Sequence, residues 1–240
     1  MYRALLTAFL VSISAPALAQ ASAQADAAPA LTQEQIAAFN QAVTDFNAAQ
    51  QAQQANDNAT AATRYAAALP AIRDVVKAQP GNIDNVNFLA NALYANAAAN
   101  LALQKTDEGV ALLEESIPHW RTVVQAKPAE SANKKILASV ATQVANVKLS
   151  KQDKAGAASL YAEALTVARA LVAAQPDAAN RNLLLSALIG ASQTSEDAAV
   201  KAEAVSLSKT MLADGSVDAV NKPAAEVLGG ASAAAQAPAR

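Results

Sequence analysis

The segment RYAAALPAIRDVVKAQP, residues 64–80, is written again at residues 112–128 as LLEESIPHWRTVVQAKP and at residues 160–176 as LYAEALTVARALVAAQP. The closing prolines Pro80, Pro128 and Pro176 stand 48 residues apart, as do Arg73, Arg121 and Arg169, with Val76, Val124 and Val172 three places further on. A fixed period over most of a chain argues for one array of stacked units in preference to two unrelated cores. Within each copy the apolar residues recur at intervals of three and four, which is helical spacing, so each unit reads as a hairpin of two helices. Aromatic residues make up only 4% of the chain and glycine totals seven, while much of the 53% hydrophobic content is alanine. Alanine is the strongest helix former and lets helices approach closely, so an all-α protein packed through small side chains is expected.

Read in order, the array is expected over residues 32–215, with repeats at about 33–80, 81–128, 129–176 and 177–215. Thr32 with Gln35 reads as a capping box, followed by Ile36, Phe39, Val43 and Phe46 at helical spacing. Asn56-Asp57-Asn58 separates the first helix from a second that closes at Ala78. Pro70 and Pro118 fall inside second helices and predict kinks, whereas Thr166 in the third copy predicts a straighter one. Thr106 is placed to cap the helix that follows it, and turns are expected at residues 150–152 and 194–195. Leu89, Leu137 and Leu185 match at the period, but the first copy has Gln41 there, which predicts a two-residue slip in its first helix. The fourth copy has a shorter, more polar second helix, as the end of an array should. Residues 216–240 read as a low-complexity tail, disordered from Lys222 to Arg240.

Before the array, MYRALLTAFLVSISAPALAQ combines Arg3, an apolar run from Ala4 to Ile13, and small residues at Ala17 and Ala19. This is the pattern of a secretory signal peptide, residues 1–19, followed by a flexible leader, residues 20–31. The alanine-rich style suggests a bacterial periplasm or secretion. The apolar run is too short to span a bilayer, so no stable membrane span is expected in the processed chain. Without Arg3 there remain seventeen basic (eighteen less one) and twenty acidic residues, net −3, which argues against general nucleic-acid binding. The absence of cysteine excludes disulfides and thiolate metal sites.

Antiparallel helix pairs that close on a proline, with a small residue twelve places before it (Ala68, Ser116, Ala164), resemble the tetratricopeptide repeat. The resemblance covers roughly Thr32 to Ala213. It implies a right-handed solenoid of about four hairpins whose first helices line a concave face. The period is 48 where the family's is 34, and the family's Trp, Leu-Gly and Tyr signature is missing from the first helices. A compact helical bundle of the same hairpins is the alternative architecture.

Catalytic chemistry finds little to work with: His119 is the single histidine, and there is no glycine-rich phosphate loop. No cofactor or metal is expected. His119 and Trp120 correspond to Ala71 and Ile72 in the preceding copy, so packing explains both. The pairs Glu114-Glu115 and Glu196-Asp197 lie near helix starts, where negative charge complements the helix dipole. Two features point instead to a binding surface. Lys127, Lys134, Lys135, Lys148, Lys151 and Lys154 face only Glu130 and Asp153 across residues 127–154, a local balance of +4. Asn87 and Asn91 lie one turn apart, and the period places Lys135 and Ser139 in their register, continued by Thr142 and Asn146 beside Lys134. These seven polar residues would share a groove able to hold a peptide backbone or a carboxylate.

The expected function is therefore an exported helical-repeat scaffold, not an enzyme, that binds an acidic protein or peptide in the cell envelope. An envelope hydrolase or transferase using Asp/Glu and His119, and a structural envelope component, are the alternatives. The processed chain is expected to begin at Gln20. Intact-mass measurement of the exported protein checks this, and retention of residues 1–19 refutes it.

Overall fold

The computed structural model describes residues 30–234, with side chains through Gly230; the expected signal peptide, most of the leader and residues 235–240 lie outside the described residues. Among the described residues the chain is all-α, without strands. It divides between Pro128 and Ala129 into two compact units. The N-terminal unit contains α1 (Gln33–Gln54), α2 (Asn58–Ala78), α3 (Ile83–Ala102) and α4 (Thr106–Ala126). The C-terminal unit contains α5 (Ser131–Ser150), α6 (Lys154–Ala174), α7 (Ala178–Thr194), α8 (Ala198–Ala213) and α9 (Lys222–Ala234). Within each unit, helices pack mainly on their neighbours in sequence.

The sequence period is reproduced in the backbone. The second helices α2, α4 and α6 are each 21 residues long, and their first and last residues are 48 apart. The turns before them are built alike. Asn56, Gln104 and Gln152 all adopt left-handed conformations, with φ of 60°, 63° and 66°. In each turn that residue's N–H bonds the carbonyl three back and the next N–H bonds the carbonyl five back, for example Gln152 to Leu149 and Asp153 to Lys148. This is the Schellman motif, which satisfies carbonyls that a helix end leaves open. Glycine is the usual residue at its left-handed position, and none of the three copies has it.

The core follows the same register. Ala68, Ser116 and Ala164 are completely buried, as are Ile72, Trp120 and Ala168 one turn later. Tyr65 and Tyr161 are also fully buried, and Leu113 takes their place in the copy that carries the bulky Trp120. Phe39, Phe46, Phe88 and Tyr65 tie α1, α2 and α3 together, with ring centroids 5.0–5.8 Å apart. The expected slip in the first helix does not occur at its C-terminal end. Helix α1 ends in register with α3 and α5, and Ala49, Ala97 and Ala145 are all buried at matching positions. Helices α2 and α4 run unbroken through Pro70 and Pro118.

The fourth hairpin departs from the period in a defined way. Helix α7 ends four residues before the position that 48-residue spacing gives it, and α8 starts four residues late in a register of 40. About one turn is thus missing from each arm at the tip, roughly 6 Å of helix. The base of the hairpin keeps its contacts: Ala204, Ser208 and Met211 are buried 40 residues after Ala164, Ala168 and Leu171. The left-handed turn is lost with the deleted turns, and Ser195 is extended.

Two expectations are corrected here. Residues 222–234, the described part of the expected disordered tail, are helical: α9 packs on α8 and buries Ala225 with Leu185 and Met211. The connection into α9 is tied down by Asn182, whose Nδ2 donates to the Ser216 carbonyl (2.8 Å) while its Oδ1 accepts from the Asp218 N–H (2.9 Å). Asn221 Nδ2 donates to the Asn182 carbonyl (3.0 Å). Thr106 is the first residue of α4 and not its cap; Lys105 takes that position without a side-chain bond, where the other copies have Asp57 and Asp153 capping with theirs. Helix α6 is long and apolar enough to cross a membrane by length and composition, yet it packs between α5 and α7.

A left-handed conformation costs a non-glycine residue about 1–2 kcal/mol, less for asparagine. Gln152→Gly and Gln104→Gly should each stabilise the protein by about 1 kcal/mol, and Asn56→Gly by less. Urea unfolding midpoints at constant slope measure this. A loss of stability in both glutamine variants would contradict the turn assignment.

Candidate functional site

Asn87 and Asn91 lie on α3, in the N-terminal unit. Asn91 is buried, and its Nδ2 donates to both the carbonyl (2.8 Å) and Oδ1 (3.1 Å) of Asn87. The remaining candidates lie on α5, in the C-terminal unit. Thr142 is 4% exposed and its hydroxyl donates to the Ala138 carbonyl (2.9 Å). Asn91 and Thr142 therefore do not offer donors to a ligand, because each is enclosed by packing and its polar group is satisfied within its own helix. Ser139 accepts from Gln143 Nε2 (3.0 Å), and Asn146 Oδ1 accepts the Tyr161 hydroxyl (2.6 Å).

Lys134 and Lys135 are different. Both are half-buried and neither has an ion-pair partner among the described residues. They sit at the fourth and fifth positions of α5, whose first turn contains no acidic residue. The N-cap residue, Glu130, accepts a hydrogen bond from Asn133 Nδ2 (2.7 Å). Two cations near the positive end of a helix dipole, neither of them ion-paired to the Glu130 carboxylate at the N-cap, form an electrostatically unfavourable arrangement in the free protein. The rest of the lysine excess is partly offset: Lys127 bonds Asp84 (2.8 Å) and Lys148 lies 3.7 Å from Asp153.

Sequence reasoning missed the pairing of the periodic arginines. Arg73 forms a bidentate pair with Glu115, at 2.7 and 2.8 Å, and Arg169 likewise engages Glu203. Each pair links one second helix to the next, α2 to α4 and α6 to α8. The signal was present, since Glu115 and Glu163 are 48 apart and Glu203 follows after 40, matching the shortened fourth hairpin. Glu115 thus serves as an ion-pair partner in the body of α4, while Asp197 does cap α8 through the Ala199 N–H (2.8 Å). Beside Glu203, an open groove of about 460 Å³ is lined by Leu184, Ala202, Ser206, Leu207 and Thr210.

His119 lies half-buried next to the Arg73–Glu115 pair. Burial lowers its pKa, opposed by the Glu115 charge and reinforced by Arg73. No cluster of three or more His, Asp or Glu side chains able to hold a metal occurs among the described residues. Comparison of the chain with protein-family models, with characterised proteins and with solved structures finds no match.

The lowered pKa has a pH signature with a defined sign. A histidine that resists protonation in the folded state takes up protons first in the unfolded chain, so stability present above about pH 6.5 is lost as pH falls below it. Acidification from pH 7.5 to 5.5 should therefore destabilise the wild type more than His119→Gln. The carboxylates with lowered pKa, Asp45, Asp57 and Asp214, stay ionised across that window and do not confuse the comparison. Urea midpoints at the two pH values are the measurement, and equal pH dependence would refute the assignment.

Proposed function

We propose that the protein is an exported scaffold, similar in construction to the tetratricopeptide repeats, that binds an acidic protein or peptide in the cell envelope. The observation that carries this reading is the placement of Lys134 and Lys135, unpaired and half-buried at the start of α5. Folded proteins tend to break local electrostatic rules where a ligand completes the site. An acidic partner segment would relieve both the mutual repulsion of the lysines and their conflict with the helix dipole. The sequence pattern of residues 1–19, read as an export signal, supports a partner outside the cytoplasm.

Exposed charges act mainly through steering and are screened as the Debye length falls from about 10 Å at 0.1 M salt to about 3 Å at 1 M. A partner recovered from envelope extract should bind Lys134→Ala/Lys135→Ala at least about tenfold more weakly at low salt, with the two affinities converging at high salt. Helix content should not fall, because alanine is at least as good a helix former as lysine. Equal affinities at low salt would mean the lysines form only a solvated face.

A further inference from the structure

Helix α5 carries one open stripe. At helical spacing Lys135, Ser139, Gln143 and Asn146 fall within about a quarter turn of one another around the axis. Asn146 is exposed and the other three are half-buried, while Leu137, Val140 and Val144 on the other side are buried. Two amides on this stripe are held in one orientation. Asn146 Oδ1 accepts from the Tyr161 hydroxyl at 2.6 Å, and Gln143 Nε2 donates to Ser139 Oγ at 3.0 Å. An amide held by its oxygen turns its nitrogen the other way, and one held by its nitrogen turns its oxygen out. The stripe therefore presents a donor at Asn146 and an acceptor at Gln143, one turn apart on the same helix.

The residue that sets the donor is Tyr161 of α6. It is completely buried, and its ring lies against Gly190 of α7, where a methyl group would overlap it. Helix packing does not demand a hydroxyl at this place, because Leu113 fills it in the second hairpin. A buried tyrosine hydroxyl takes a hydrogen-bond partner, and here that partner is a side chain that itself reaches solvent.

The geometry says what form of ligand fits. In an extended chain one residue offers its N–H and its C=O to the same side, and a facing pair of acceptor and donor takes both. Gln143 Oε1 and Asn146 Nδ2 supply such a pair. A helical ligand satisfies its own main chain and has little to give these amides. Lys135 stands on the same side of α5 three turns before Asn146, about 16 Å along the axis. That distance is spanned by about five residues of extended chain. We propose that Tyr161 is a positioning residue: it fixes the Asn146 amide so that Asn146 and Gln143 together bind the main chain of an extended partner segment, with an acidic side chain about five residues away meeting Lys135. This rests on the reading of Lys134 and Lys135 given above and adds the backbone form of the partner.

Fluorescence anisotropy with labelled peptides of alternating Glu and Thr, about eight residues long, tests the proposal. One peptide has an unmodified main chain; the other is N-methylated throughout and offers no N–H in any register. The wild type should bind the unmodified peptide at least about tenfold more tightly, and Gln143→Ala should remove that preference. Asn146→Ala and Tyr161→Phe should each weaken binding of the unmodified peptide about fivefold. Tyr161→Phe should add nothing in the Asn146→Ala background, a non-additivity that a purely structural role would not produce. Circular dichroism checks that each variant is folded, and the surface variants Gln143→Ala and Asn146→Ala keep the test open should Tyr161→Phe unfold. Equal affinity for the two peptides, or additive losses in the double variant, would overturn the proposal; the lysine reading survives either result if Lys134→Ala/Lys135→Ala still weakens binding. Binding that the lysine substitutions leave unchanged, or no binding of either peptide by the wild type, would overturn it together with that reading.

Discussion

The close approach of helices at alanine-sized contacts is the constraint on which this molecule depends. Ala68, Ser116, Ala164 and Ala204 hold equivalent positions on the four second helices, and each is completely buried. A side chain that small lets two backbones come together, and it also leaves no room for error. Extra volume at such a site forces neighbouring side chains off their preferred rotamers, at a cost of about 1–3 kcal/mol. Gly190 shows the limit, because a methyl group there would overlap the ring of Tyr161, which Asn146 holds in place. With few large side chains to lock the pieces together, stability is spread over many small contacts that exist only in one register. The shortened fourth hairpin obeys this rule. Removing one turn from each arm leaves Ala204, Ser208 and Met211 on the buried face, whereas deleting two residues would have turned the stripe to solvent.

The pairs Arg73–Glu115 and Arg169–Glu203 belong to the same logic. Their side chains are all more than a third exposed, so neither pair adds much net stability in water. Their value is geometric: a bidentate guanidinium–carboxylate contact fixes the axial offset between successive second helices. That the glutamate spacing shortens from 48 to 40 together with the hairpin shows the pair following the helix register.

Much of this was legible in the sequence because the period is carried by residues whose burial differs sharply from that of their neighbours. The period and the turn residues gave the end of α2 at Ala78 and the turns that follow α5 and α7. Where local propensity was preferred to the period, the reading failed: Thr106 looked like a cap, yet Asp57 and Asp153 already pointed to position 105. Helix α9 was hidden for a different reason. Its sequence is rich in alanine and glycine, and its entry is held by a set of long-range bonds to Asn182 that no spacing rule reveals. The candidate stripe was misjudged at Asn91 and Thr142 because polarity was read as exposure. A first helix here is covered on more than one side, so a polar residue on it has to be satisfied locally.

Helix α3 shows how that is done and why it matters. Asn100 Nδ2 bonds the carbonyl and the Oδ1 of Asn96, each at 2.9 Å, and Asn91 treats Asn87 in the same way. These pairs are four residues apart, so each amide returns a hydrogen bond to its own helix and asks nothing of the neighbours. Asn85 Nδ2 and Trp120 Nε1, by contrast, are buried without a hydrogen-bond partner among the described residues. A core made of alanine alone discriminates poorly between one helix offset and another, since every methyl group resembles the next. Buried amides change that. In a helix shifted by one or two residues the asparagines would face apolar surface in different places, and any that lost its partner would cost about 1–3 kcal/mol. The polar groups of α3 therefore act less as a source of stability than as a penalty on the wrong alignments, adding to the shape that Phe88 gives the contact with α1.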